Sequence, residues 1–204
     1  IVFDPSFNGA TLALSNGEMV TNRNLVIIGL GQANLTLNAG GNHRFFTISA
    51  GDSVEIIDIT LANGTVATNG GAILNNGALS LHHVSITGSA SGNFGGAVYA
   101  NGPTAVTNCD FASNTAISGA GLYTTGNGNL LVDSCNFASM ISSTTGGGIY
   151  AVGGSTTNFT FTNSNFTGNT AQDQGAGLYL AINNSTVTMN HCVFDDNDLV
   201  TSTS

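Results

Sequence analysis

Two short motifs recur in phase along this chain, and that repetition restricts its fold more than any other feature. The first reads Cys109-Asp110-Phe111-Ala112-Ser113-Asn114, Cys135-Asn136-Phe137-Ala138-Ser139-Met140, Ser164-Asn165-Phe166-Thr167-Gly168-Asn169 and Cys192-Val193-Phe194-Asp195-Asp196-Asn197. The phenylalanines stand 26, 29 and 28 positions apart. Val84-Ser85-Ile86 and Ile59-Thr60-Leu61 continue the column upstream with aliphatic residues. The second motif falls between copies of the first: Gly71-Ala72-Ile73-Leu74, Gly96-Ala97-Val98-Tyr99, Ala120-Gly121-Leu122-Tyr123, Gly147-Gly148-Ile149-Tyr150 and Ala176-Gly177-Leu178-Tyr179. Two motifs holding phase over five or six units define a repeat architecture.

Each unit contains short period-two stretches, such as Ala78-Leu79-Ser80-Leu81 and Val187-Thr188-Met189, bounded by Asn-Gly or Gly-rich turns. No stretch has a helical period. Strands of about three to five residues cannot bury a face alone, so the units must stack and share one core. Units of 24–29 residues with three strands and three bends predict an all-β fold, a right-handed parallel β-helix. At one strand spacing per coil, roughly seven coils make a rod about 34 Å long. Propeller blades and leucine-rich repeats have other periods or patterns. Residues 1–53 read as irregular opening coils, 54–198 as regular repeats and 199–204 as a tail of one 1–204 domain.

The composition follows from such stacking. Every residue lies over its equivalent, so charges would repeat in columns and repel, whereas amides, hydroxyls and apolar groups stack without penalty. Only 6% of the 204 residues are charged, yet 41% are hydrophobic and mean hydropathy is +0.20. Arg23 and Arg44 are the only basic residues against eleven acidic ones, for a net charge of −9. Nucleic-acid binding and attachment to anionic lipid both need clustered cations, which this chain lacks. No apolar run reaches the roughly 18 residues of a membrane helix. The opening Ile1-Val2-Phe3-Asp4 has no Met, basic region or apolar signal, as expected of a mature product or an excised piece. Asn-x-Ser/Thr sequons at Asn34, Asn63, Asn158, Asn165, Asn183 and Asn184 matter only in a glycosylating secretory pathway.

The Gly-Gly-Ala-Val, Phe-x-x-Asn and Gly-Gly-Gly-Ile-Tyr signatures resemble the chlamydial polymorphic outer membrane protein repeats and the wider group of secreted bacterial right-handed parallel β-helix proteins. The likeness spans about residues 54–198. Ile1-Val2-Phe3-Asp4-Pro5, Gly17-Glu18-Met19 and Leu25-Val26-Ile27-Ile28-Gly29 are similar to the opening coils of such proteins. The resemblance implies an extracellular or cell-surface rod, often an adhesin, with a capping helix upstream of the first coil. It implies no particular ligand.

Several columns are candidates for more than structure. Phe111, Phe137, Phe166 and Phe194 are expected to form an inward aromatic ladder, with Cys109, Cys135, Ser164 and Cys192 facing the same way. Asn63, Asn114, Asn169 and Asn197 fall near the following bend, where their amides can satisfy backbone groups from turn to turn. Cys109 and Cys135 lie one coil apart, within disulfide reach, although a buried stack of free thiols is the preferred reading. The odd Cys192 is two coils further on. Tyr99, Tyr123, Tyr150 and Tyr179 face outward if Val98, Leu122, Ile149 and Leu178 face inward, giving a surface ladder for sugars or another rod. The reverse phase would make them core.

No catalytic, cofactor or metal site is assigned. A hydrolase needs two or three converging carboxylates, whereas Asp110 has no acidic neighbour in its column and Asp133 and Asp173 are likewise isolated. A lyase needs a base near its acids, and both arginines lie too early. Asp195-Asp196-Asn197-Asp198 lacks the spacing of a calcium loop and reads as a solvated bend. His83 and His191 share a column with Asp58, Asn108, Ser134 and Asn163 but sit four coils, roughly 19 Å, apart, and His82-His83 alone is a weak pair. The expected function is a non-catalytic structural or adhesive module, binding a cell-surface or carbohydrate ligand or self-associating end to end into fibres. The alternatives are a polysaccharide lyase or glycoside hydrolase, and an ice-binding protein suggested by Thr124-Thr125, Thr144-Thr145 and Thr156-Thr157.

Overall fold

The chain bends at three kinds of corner, and each is built on one left-handed residue. The computed structural model describes residues 1–154 and 156–200. Asp58, His83, Asn108, Ser134, Asn163 and His191 form the first corner column, with φ of +51 to +57°. Asn63, Gly88, Ser113, Ser139, Gly168 and Asp196 form the second, at +49 to +62°, and Gly70, Gly95, Gly119, Gly146 and Gly175 the third, at +58 to +73°. Short polar side chains and glycine are the residues that tolerate this region. The predicted polar column is thus a backbone device: its histidines serve the turn.

Between the corners run three parallel sheets, of 13, six and seven strands, each strand paired with its equivalents in the adjoining turns. They wind as a β-solenoid of about 7 turns. Register is held residue for residue, as in Leu81, Val106, Val132, Phe161 and Met189. The large sheet contributes two strands to most turns, for example Thr104–Thr107 and Asp110–Ala112. In two early turns the expected short strands are instead continuous ten-residue strands, Ser53–Ala62 and Ala78–Thr87, that carry the first corner within them. The first turns are irregular because Gly29–Asn34 makes an excursion at that same corner. Leu25–Ile28 pairs with the front half of Ser53–Ala62 and Leu35–Asn38 with its rear half. The helical content among the described residues is one short 3₁₀ turn, Pro5–Phe7.

Between corners, alternation along a strand sends one side chain inward and the next outward. Phe111, Phe137 and Phe166 are completely buried in register, with near-parallel rings 4.5 and 5.1 Å apart. Phe194 stacks on Phe166 at 4.7 Å yet is 45% exposed, since no described turn lies beyond it. Buried amides run beside this ladder. Asn114 donates to the Ile86 carbonyl (2.9 Å) and accepts from the Ser89 amide (2.8 Å). Asn169 repeats the pattern on Phe137 and Met140, and Asn197 on Phe166 and Asn169. Asn63 is outside this row: pairing of Thr65 with Ala90 and of Ala90 with Thr115 puts Gly64 in the amide position and Asn63 at the second corner.

Candidate functional site: the tyrosine face of the seven-stranded sheet

Strands Val98–Ala100, Leu122–Thr124, Ile149–Gly153 and Leu178–Ile182 present the same alternation. Val98, Leu122 and Ile149 are fully buried, as are Ala100 and Ala151 within 2%. Alternation therefore turns Tyr99, Tyr123, Tyr150 and Tyr179 outward, directly paired from strand to strand. Ring centroids are 5.5, 4.8 and 5.0 Å apart, with interplanar angles of 6, 8 and 34°. Phe94, from the third corner, packs on Tyr123 at 4.8 Å and 20°. Because the rings lie face to face, the inner rungs offer solvent their edges and hydroxyls. Sugar stacking on ring faces, the use expected of an exposed ladder, is closed to them.

The row is half-buried, and none of its hydroxyls has a hydrogen-bond partner among the described residues. Burial pushes the Tyr99, Tyr123 and Tyr150 hydroxyls above the usual tyrosine range, with a further push on Tyr123 from Tyr150 and Tyr99 and on Tyr150 from Tyr179. These phenols are neutral at physiological pH. The third corner supports the row from beneath: a Cβ on Gly146 would lie 2.7 Å from the Tyr150 Cβ, and one on Gly175 the same distance from that of Tyr179. Phe94 had no sequence signal, because Ser118 follows it in its column and shares no side-chain character with it.

The other candidates stay apart. Cys109 and Cys135 are buried free thiols, each donating to a backbone carbonyl (Thr107 at 3.2 Å, Asp133 at 3.2 Å); Cys192 is free and partly exposed. Contact with Cys109 and burial push the Cys135 thiol well above the ordinary range, while the same contact lowers Cys109. Asp110 accepts from Gln32 (3.1 Å) in the Gly29–Asn34 excursion. Asp133 accepts from Thr162 and from Asn163 (3.0 Å), which lower its pKa in that order. His83 meets Asp58 at 2.8 Å and His82 meets Thr107 at 2.8 Å, both in solvent. Asp195, Asp196 and Asp198 are exposed at the final corner. Among the described residues no group of three or more His, Cys, Asp or Glu is placed to hold a metal ion. A shallow groove of about 590 Å³ crosses the large sheet over Glu55, Ser80, Ala105, Leu131 and Thr160, with Glu55 its one carboxylate. All six sequon asparagines are exposed.

A family model described as a right handed beta helix region matches residues 46–204. The chain belongs to that right-handed β-helix family, in agreement with its parallel, stacked sheets. The match reaches the β-helix repeat class as a whole and not the chlamydial branch in particular. No curated protein and no solved structure matches the chain. No helix of the described residues is long and apolar enough to cross a membrane.

Proposed function

We propose that this chain is a non-catalytic, extracellular or cell-surface adhesive module, bacterial in origin, that works through the rigid outer face of its seven-stranded sheet. The carrying observation is the tyrosine row: four hydroxyls, without hydrogen-bond partners among the described residues, set at one-turn intervals on a regular stacked sheet. Aromatic side chains pre-ordered by stacking lose little entropy when a partner docks, which makes them efficient contact residues. The carboxylates support the same reading, since Asp110 and Asp133 are each bonded to neighbours in separate columns. The test is biolayer interferometry against immobilised matrix proteins and neutral, sialylated and sulfated glycans. A Tyr123→Ala/Tyr150→Ala variant is expected to lose roughly tenfold or more in affinity, as for contact residues of this kind. Binding indifferent to that change, or polysaccharide turnover by the chain, would overturn the proposal.

End-to-end association is a second reading with its own observation. Met189, Phe194 and Leu199 are 41, 45 and 53% exposed at one end of the stack. At the other, Ile1, Phe3, Leu12, Leu14, Met19 and Phe46 line an apolar cavity of about 270 Å³. These are surfaces that a further turn, of the same or another chain, would cover. Sedimentation velocity over a hundredfold concentration range should show growing species; a single unchanging monomer peak would dismiss this reading.

A further inference from the structure

The four tyrosines of the row are all the tyrosines in the chain, and there is no tryptophan. One-electron oxidation of the protein's aromatic groups therefore converges on a single surface. We propose that this row is an oxidative cross-linking site at which Tyr150 and Tyr179 couple to dityrosine, joining two consecutive turns covalently.

The choice of pair follows from geometry. A carbon–carbon bond between two rings requires their edges to converge, and parallel stacked rings must first come apart. Tyr123 is held between Tyr99 and Phe94 on one side and Tyr150 on the other, with neighbouring planes only 6 and 8° from its own among the tyrosines. Tyr150 and Tyr179 are 5.0 Å apart and already tilted by 34°. Tyr179 has this one aromatic neighbour among the described residues, and no residue of its strand Leu178–Ile182 is fully buried. Among the described residues no hydrogen bond anchors its hydroxyl, so its ring is the least constrained of the four.

The chemistry needs hydrogen peroxide acting through a haem peroxidase. Each phenol gives up one hydrogen atom, a proton and an electron, and the peroxide is reduced to water. The unpaired spin of each phenoxyl radical is shared with the carbons ortho to its oxygen, and two such carbons pair to form the new bond. The hydrogens on those carbons then move to the oxygens as the rings regain aromaticity. In sum, two phenols and one peroxide give one dityrosine and two waters. Cys192 and Met189 are the competing sinks nearby, since both are accessible.

The experiment treats the dilute full chain, in a Cys192→Ser background, with a haem peroxidase and hydrogen peroxide, then isolates the monomer. The expected result is blue dityrosine emission, loss of two hydrogen masses, and a digestion product linking Tyr150 to Tyr179. Tyr179→Phe, which keeps the stacked ring, should remove most of that emission, and Tyr99→Phe should leave it intact; melting curves establish that both variants fold. A monomer without dityrosine, cross-links solely between chains, or a product mapping to Tyr99 and Tyr123 that survives Tyr179→Phe would overturn the proposal.

Discussion

Asn114→Ala isolates the contribution of the buried amide row. The Asn114 side chain is wholly buried, and its two ends close bonds to the Ile86 carbonyl and the Ser89 amide, both inside the stack. Alanine leaves that N–H without a partner and out of reach of water, and strips the carbonyl of its side-chain donor while its strand-ladder bond remains. The orphaned group costs about 1–3 kcal/mol and the lost second bond about 0.5–1.5 kcal/mol, roughly 1.5–4.5 kcal/mol in all. A domain of this kind has total stability of about 5–15 kcal/mol, so the loss is large. The row supplies its own graded control. Ser89 occupies the equivalent position one turn earlier, and its hydroxyl accepts the Gly64 amide at 3.2 Å. Asn114→Ser therefore restores the acceptor but not the donor, and should fall about midway. Stacked repeats open locally as well as globally, so the assay is amide exchange at Ser89 and its neighbours beside urea unfolding. Variants ordered wild type, Ser, Ala are expected. An alanine variant within about 0.5 kcal/mol of wild type, the range of ordinary surface changes, would refute the reasoning.

Three further outcomes are expected. Arg44, 8% exposed, pairs with Glu18 at 3.2 Å and bonds Thr47 of its own turn and Thr68 of the next; Arg44→Met should cost about 1–3 kcal/mol, below the figure for a fully buried pair because Glu18 is 37% exposed, and an unchanged urea midpoint would contradict this. Bonds from Thr162 and then Asn163 hold Asp133 below the usual carboxylate range, so its small stabilisation is present above the unfolded-state pKa and is lost as pH falls through the folded one. Thr162→Val should raise that pKa in a carboxyl NMR titration; no movement would remove the assigned cause. Gly146→Ala combines a φ of +68° with a methyl 2.7 Å from the Tyr150 Cβ, so it should cost about 1–3 kcal/mol and change the tyrosine near-ultraviolet signal, whereas an unaltered melt and spectrum would contradict the corner's role.

What the sequence disclosed depended on what was periodic. The phenylalanine and tyrosine columns were readable because the same side chain returns in phase, and the pairing of Phe111 with Phe137 or of Tyr123 with Tyr150 follows that phase. The facing of the tyrosines was open on periodicity alone, because either phase fits the alternation; the burial of Val98, Leu122 and Ile149 decides it. Features occurring once were not readable. Asn75, buried and bonded to Thr104 at 3.0 Å, faces inward where later turns have alanine, threonine or leucine. Gln32 reaches Asp110 across 78 positions by way of an excursion found in one turn only. Asn63 was assigned to the wrong row because the corner and amide positions are adjacent and both favour asparagine. The stacked ring faces, which turn the tyrosine row from a stacking platform into a line of hydroxyls, depend on side-chain rotamers that periodicity does not encode.

Each turn's residues sit one strand spacing from their equivalents in the next. Nitroxide labels on Ala105 and Leu131, paired outward-facing neighbours in adjoining turns, test it by continuous-wave electron paramagnetic resonance in a background where Cys192 is serine. Strong spin–spin broadening that weakens markedly when the second label is moved to the next turn, at Thr160, is the predicted result. Sharp, independent spectra from the Ala105–Leu131 pair would contradict it.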